Sequence, residues 1–372
     1  MSRGIALLAV VVAIAAGLWL AVRPTPVPPA PTPVVTEPTA GATAGLPALA
    51  REPARPRLPA PRLPPSPTKP EAPIESATNS LAKFLRGEEL PKLTREQLDI
   101  FLRQNKRSAE SLLAASRAVG DVTLLREAVE KFPNDPRARF DLAMRGETPE
   151  ERRQALDAFR QLARDNPLGD YLSALDRFKS GQTDEAVKDL LQANSKNRLQ
   201  DYTLDHMQSA EEAFLSAGYD PLEAKAAGTF GVQLPHLQAL RDLANQVLGL
   251  QQQYAQVGDA ASARAVGQLG MNLAAQLEGQ PGRTLISELV GIAIEKKFLS
   301  GQAPDSPLGD GRTAGGRLTE LDAQRQAIRD ATQFDSLLDN LPPQEVLIYF
   351  DRLKLNGELD ALRWLKNKHG RP

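Results

Sequence analysis

An all-α fold of antiparallel helical hairpins is what residues 80–372 of this 372-residue chain predict, and three observations lead there. After Ser80 the chain is dominated by Leu, Ala, Gln, Glu and Arg, the stronger helix formers, and runs of β-branched residues vanish. Helix-entry signals recur: Thr94 with Gln97, Thr148 with Glu151 and Asp220 with Glu223 each set a capping side chain three positions before a carboxylate or amide. Pro149 and Pro221 stand where a first helical residue tolerates proline. Apolar residues between these signals fall at the spacing of one helix face, interrupted by turn glycines.

The elements before that region are of other kinds. Ile5 to Val22, IALLAVVVAIAAGLWLAV, is an uncharged apolar run close to the length that crosses a hydrocarbon core. Arg3 precedes it, Arg23 follows it and Trp19 sits near its outer end, which predicts an anchor over residues 1–23 with a cytoplasmic N-terminus. A cleaved signal peptide is the alternative, through Ala13-Ile14-Ala15; either way the rest of the chain is exported. Residues 24–79 hold more than half of the chain's 30 prolines, too little apolar surface to offset ordering entropy, so a disordered linker is expected. Within it Pro53, Pro56 and Pro59, then Pro61, Pro64, Pro67, Pro70 and Pro73, recur every third residue, the period of polyproline II. Arg55, Arg57, Arg62 and Lys69 fall on its other edges.

In the helical region, NPLGDYLSALDRFKSGQTDEAVKDLLQA (166–193) gives the clearest unit. Tyr171, Ala174, Leu175 and Phe178 form one apolar stripe, Gly181 ends that helix, and Ala186, Leu190 and Ala193 form the stripe of the next. Small Ala174 and Ala186 let the two helices approach closely. Ala155, Phe159 and Leu162, with Leu142 and Ala143 before them and Pro167 after, repeat the unit upstream, and Gly120, Asp121 and Ala128 repeat it again. PNDP ending at Pro136 and DNP ending at Pro167 punctuate the copies. Downstream, Val247, Leu250, Tyr254, Gly258 and Ala263 give a looser copy, with Gln251 where a small residue is usual. This pattern resembles the tetratricopeptide repeat, closely over 107–200 and loosely over 234–300. The resemblance implies an α-solenoid of stacked hairpins over residues 80–300. A glycine-rich mobile loop over 301–316 and capping helices over 317–372, turning at Asn356-Gly357, complete the expected organisation.

The composition excludes several classes of function. Lys plus Arg (45) nearly cancels Asp plus Glu (46), so the basic footprint of a nucleic-acid binder is missing. With no cysteine there is no disulfide framework, thiolate metal site or cysteine nucleophile. The three histidines, His206, His236 and His369, lie in no metal-ligand spacing, and no metal or cofactor is expected. Asp205-His206 does not read as a base with its orienting carboxylate, because adjacent helical residues point apart; it reads as a solvated helix face, since His and Asp are mostly exposed. The loop SPLGDGRTAGG lacks the G-K-[ST] ending of a phosphate cradle and has no strand before it.

Stacked hairpins leave one face of each first helix lining a groove. In the two clearest copies those positions are Arg137, Phe140 and Met144, and Leu172, Asp176 and Lys179, a mixture suited to an amphipathic peptide or protein terminus. The expected function is therefore a membrane-anchored, extracytoplasmic scaffold that binds a protein or peptide, not an enzyme. The alternative is an exported all-α enzyme acting on envelope polysaccharide through a pair of glutamates.

Overall fold

The computed structural model describes residues 90–280, 282–332 and 341–369, so the predicted anchor and proline-rich linker lie outside the described residues. Among the described residues the regular structure is helical, apart from one isolated antiparallel bridge, and no helix is long and apolar enough to cross a membrane.

Helix α1 (Arg95–Gln104) opens on a complete capping box: Gln97 N donates to Thr94 Oγ1, and Thr94 N donates to Gln97 Oε1. Three hairpins follow, α2 (Ala109–Val119) with α3 (Val122–Lys131), α4 (Pro136–Arg145) with α5 (Pro149–Leu162), and α6 (Leu168–Lys179) with α7 (Thr183–Asn194). Gly120 and Gly181 end α2 and α6 in the left-handed region, at φ 71° and 73°, where a side chain would be strained. In the clearest unit the predicted stripes face the core: Tyr171, Ala174 and Leu175 on α6 are buried with Ala186, Leu190 and Ala193 on α7, and Phe178 is half-buried against them. The second helix of each hairpin packs on the first helix of the next, α3 on α4 and α5 on α6.

After α7 the chain stops extending that stack. Helix α8 (Thr203–Ser216), paired with α9 (Pro221–Phe230), turns back to lie against α2 and α1. Helix α10 (Pro235–Gln256) lies against α6 and forms a hairpin with α11 (Ala260–Glu278), at 22 and 19 residues longer than the helices upstream. Their contact explains the unusual Gln251. A Cβ added at Gly267 would lie 2.6 Å from the Gln251 side chain, so the small residue of this crossing sits on α11 instead of α10. Helix α12 (Leu285–Leu299) buries residues around most of its circumference because α10, α11 and α13 (Ala314–Ala331) all pack on it.

Residues 301–316 are not a free loop throughout. Helix α13 begins at Ala314, and Leu308 N donates to Arg312 O, Ala314 N to Ser306 O, and Gly315 N to Pro304 O. Helices α14 (Pro343–Asn356) and α15 (Glu358–His369) then turn at Gly357, φ 93°, and pack on α9 and α13. The first hairpins with α8 and α9, the α4–α7 stack with α10–α12, and α8 and α9 with the C-terminal helices each enclose an apolar core.

Candidate functional site

The inner face of α2, α4 and α6, expected to line an open groove, is covered by the chain itself. Phe140 is only 2% exposed; its ring lies 5.5 Å from Phe159, 5.8 Å from Tyr202, 5.9 Å from His236 and 6.5 Å from His206, measured between centroids. Leu172 is buried in the same core as Leu237 and Leu240 of α10, and Met144 packs against that core. These positions were expected to be groove-lining because an apolar stripe looks the same whether it awaits a ligand or a helix from its own chain. Asp176 is half-exposed and pairs with Arg153 of α5, while Lys179 is exposed. Of the six predicted positions, Arg137 borders a cleft.

That cleft, of about 670 Å³, lies between the α3–α4 junction and the segment entering α8. Phe132, Pro133, Pro136 and Tyr202 supply apolar wall, while Asn134, Asp135, Arg137, Gln200 and Asp205 supply polar groups. Local sequence builds one side. Asp135 caps α4 by accepting from Arg137 N at 2.8 Å, and Pro136 takes the first helical position. Arg137 is then tied: its Nη2 donates to Asp135 Oδ2 and Glu110 Oε1, both at 2.6 Å, and those carboxylates raise its guanidinium pKa. Asp205, with a side chain 45% exposed, has Arg137 Nη1 at 4.0 Å as its one ion-pair contact among the described residues.

The other side is positioned at long range. Asn166 Nδ2 donates to Gln200 O at 2.7 Å, and Gln200 N donates back to Asn166 Oδ1 at 3.1 Å, fastening this segment to the α5–α6 junction. Tyr202 adopts a left-handed backbone, φ 59°, without being glycine, a conformation that costs of order 1 kcal/mol and is held here by packing on Phe140 and Phe159. Motif reading singles out neither Gln200 nor Tyr202, and it takes Asp205 only as part of a solvated helix face. The local signal for Gln200 and Tyr202 is the non-helical stretch that separates α7 from α8.

Behind the cleft lies a buried polar cluster. His206 is buried and not on a solvated face: Arg117 Nη2 lies 2.5 Å from its Nε2, and Asp141 Oδ1 3.7 Å away. Burial pushes the Asp141 carboxyl up, partly offset by Arg117, which contacts it at 2.5 Å. Burial alone would raise Asp201 as well, but the His236 ring, 3.1 Å away, helps hold it below the usual carboxylate range. Burial, and then the Arg117 charge, drive the His206 pKa well below its ordinary value. A pH dependence follows. Unfolded, this imidazole takes up a proton as pH falls through about 6.5, whereas folded it stays neutral to much lower pH. The native state thus binds fewer protons in that interval, and stability is lost as pH falls below about 6.5 at up to about 1.4 kcal/mol per pH unit. Urea melts at about pH 7.5 and about pH 5.5 should show a drop that shrinks by about 1 kcal/mol in His206→Gln. An equal drop in both proteins would contradict this assignment.

A carboxylate pair does form elsewhere. Arg317 on α13 bridges Glu295 of α12 (Nε to Oε1, 2.7 Å) and Glu278 of α11 (Nη2 to Oε2, 3.1 Å). Burial and the neighbouring Glu295 push Glu278 up to about 7. No group of three or more His, Asp or Glu arranged to hold a metal occurs among the described residues. No family model, no curated protein and no solved structure matches this chain.

Proposed function

We propose that the chain is a membrane-anchored, extracytoplasmic interaction scaffold whose tetratricopeptide-like hairpins present the α3–α4 cleft to a peptide or protein partner. The observation that carries this reading is the cleft's mixed wall: an apolar floor of Phe132, Pro133 and Tyr202 beside the loosely held Asp205 carboxylate and the Asn134 and Gln200 side chains. An extended peptide needs this combination, with apolar area for affinity and a few convergent polar groups for register. The inner groove is not part of the reading, since α8 and α10 fill it.

The test is capture of a partner from solubilised membranes by the full chain. Asp205→Lys combined with Asn134→Ala changes two exposed side chains, so stability should stay within about 0.5 kcal/mol while capture weakens roughly tenfold. Undiminished capture would remove the cleft from the binding surface.

A second reading, an exported enzyme acting on envelope polysaccharide, is favoured by one observation, the Glu278–Glu295 pair with its raised member. It is the weaker reading, because Arg317 ion-pairs with both carboxylates and Glu295 is buried. Polysaccharide hydrolysis by the purified chain, abolished by Glu278→Gln, would establish it in place of the scaffold.

A further inference from the structure

We infer that the cleft takes the chain's own arginine- and proline-rich segment, residues 53–73, docked within the same molecule; this rests on the peptide-binding reading above and names its occupant. Three features of the cleft match that segment. A proline helix of three residues per turn sets prolines along one edge, and Phe132, Pro133 and Tyr202 offer an apolar wall to receive them. Such a helix makes no internal hydrogen bonds, so its carbonyls are free acceptors for the amide groups of Asn134 and Gln200. The charge is complementary. Arg137 is already committed to Asp135 and Glu110, leaving Asp205 as the cleft's available carboxylate, and the segment carries Arg55, Arg57, Arg62 and Lys69 against the single acid Glu71.

The connection is long enough. Lys92 lies beside Tyr219, just beyond the C-terminal end of α8, since the Tyr219 hydroxyl donates to Lys92 O at 3.4 Å. The cleft lies at the other end of α8, where Tyr202 and Asp205 stand, roughly 20 Å away at 1.5 Å per residue. Residues 74–89, fully extended, reach roughly 50 Å. A tether of that length holds the segment at an effective concentration in the millimolar range, so weak intrinsic affinity suffices for occupancy. The docked segment then competes with an outside partner, which displaces it.

The chain contains no cysteine, which makes the test direct in the full-length protein. Leu63→Cys paired with Gln200→Cys should cross-link within one molecule under mild oxidation. It should do so far more than Leu63→Cys paired with Val257→Cys, an exposed site at the far end of α10. Adding Asp205→Lys should cut the cross-linked fraction at least two- to fivefold, roughly what losing an exposed ion pair costs. Equal cross-linking at both sites, insensitivity to Asp205→Lys, or cross-links only between two molecules would overturn the proposal. A synthetic peptide of residues 53–73, added to a full chain with Arg55, Arg57, Arg62 and Lys69 changed to Glu, separates the two readings. Peptide binding without the intramolecular cross-link leaves the cleft a peptide site and sinks self-docking. No peptide binding, with partner capture still lost in Asp205→Lys, sinks the proline-rich occupant alone. Loss of both sinks the cleft reading as well.

Discussion

Asp170→Ala should cost the protein about 3–5 kcal/mol, the range seen when one partner of a buried ion pair is removed. Asp170 is 0% exposed and sits where three elements meet. Arg160 Nε of α5 donates to its Oδ1 at 2.9 Å, and the Lys196 ammonium donates to its Oδ2. Arg160 also donates to Asp189 Oδ1 of α7 at 2.7 Å, and Asp189 accepts from Ser173 Oγ at 2.7 Å with Arg177 Nε at the same distance. Two carboxylates thus balance three cations at the crossing of the second and third hairpins. Truncating Asp170 takes the carboxylate from the Lys196 ammonium and leaves Arg160 with Asp189 alone, and the uncompensated charge, more than the lost hydrogen bonds, sets the cost. Gly169 belongs to the same arrangement: a Cβ there would lie 2.7 Å from Arg160 Cγ, so the glycine gives the arginine stem its path. The measurement is a urea melt at unchanged m-value. A loss under about 1 kcal/mol would mean that water reaches the site and screens it.

The second large effect concerns a helix crossing. In Gly228→Ala the new methyl would stand 2.7 Å from Glu211 N and 3.0 Å from Glu211 Cα, both backbone atoms of α8 that no rotamer change can clear. Alanine favours an isolated helix over glycine by about 1 kcal/mol, so propensity predicts a gain and packing a loss. Packing should win, with a net destabilisation of about 1–3 kcal/mol, because α8 and α9 must separate. Their separation would also strain the ties from Glu211 to Lys225, 3.2 Å, and to Lys354 of α14. Gly249→Ala in α10 is the control. A methyl added there would meet no neighbouring element within 4 Å, so the substitution should be neutral or stabilise by up to about 1 kcal/mol. If the two substitutions behaved alike, the close α8–α9 approach would be wrong.

Reading Leu162 as part of a buried stripe shows how far periodicity carries. Ala155 and Phe159 are buried as expected, yet Leu162 at the same spacing, the last residue of α5, is 38% exposed. His206 shows the opposite error, whereas its neighbour Asp205 is exposed as expected. Adjacent on α8, they point apart as expected, but one faces the cleft and the other the interior, where Arg117 and Asp141 meet it. Polar residue type alone suggested solvent for both.

Helix class, helix entries and hairpin turns were legible in the sequence because each is settled within a few residues. Thr94, Thr148 and Asp220 cap the helices they precede, and Gly120, Gly181 and Gly357 take the left-handed turns they imply. Such contacts span three or four positions, and no distant residue is needed to choose among them. What covers a stripe is another matter. Phe140 and Leu172 bury themselves under α8 and α10, and Asn166 fastens Gln200 from across a hairpin, through contacts between residues tens of positions apart. An apolar face gains the same burial free energy from any apolar partner, so its periodicity cannot say whether that partner is a ligand or the chain's own later helix. The placement of the cleft follows from that choice, which is made when the whole chain packs.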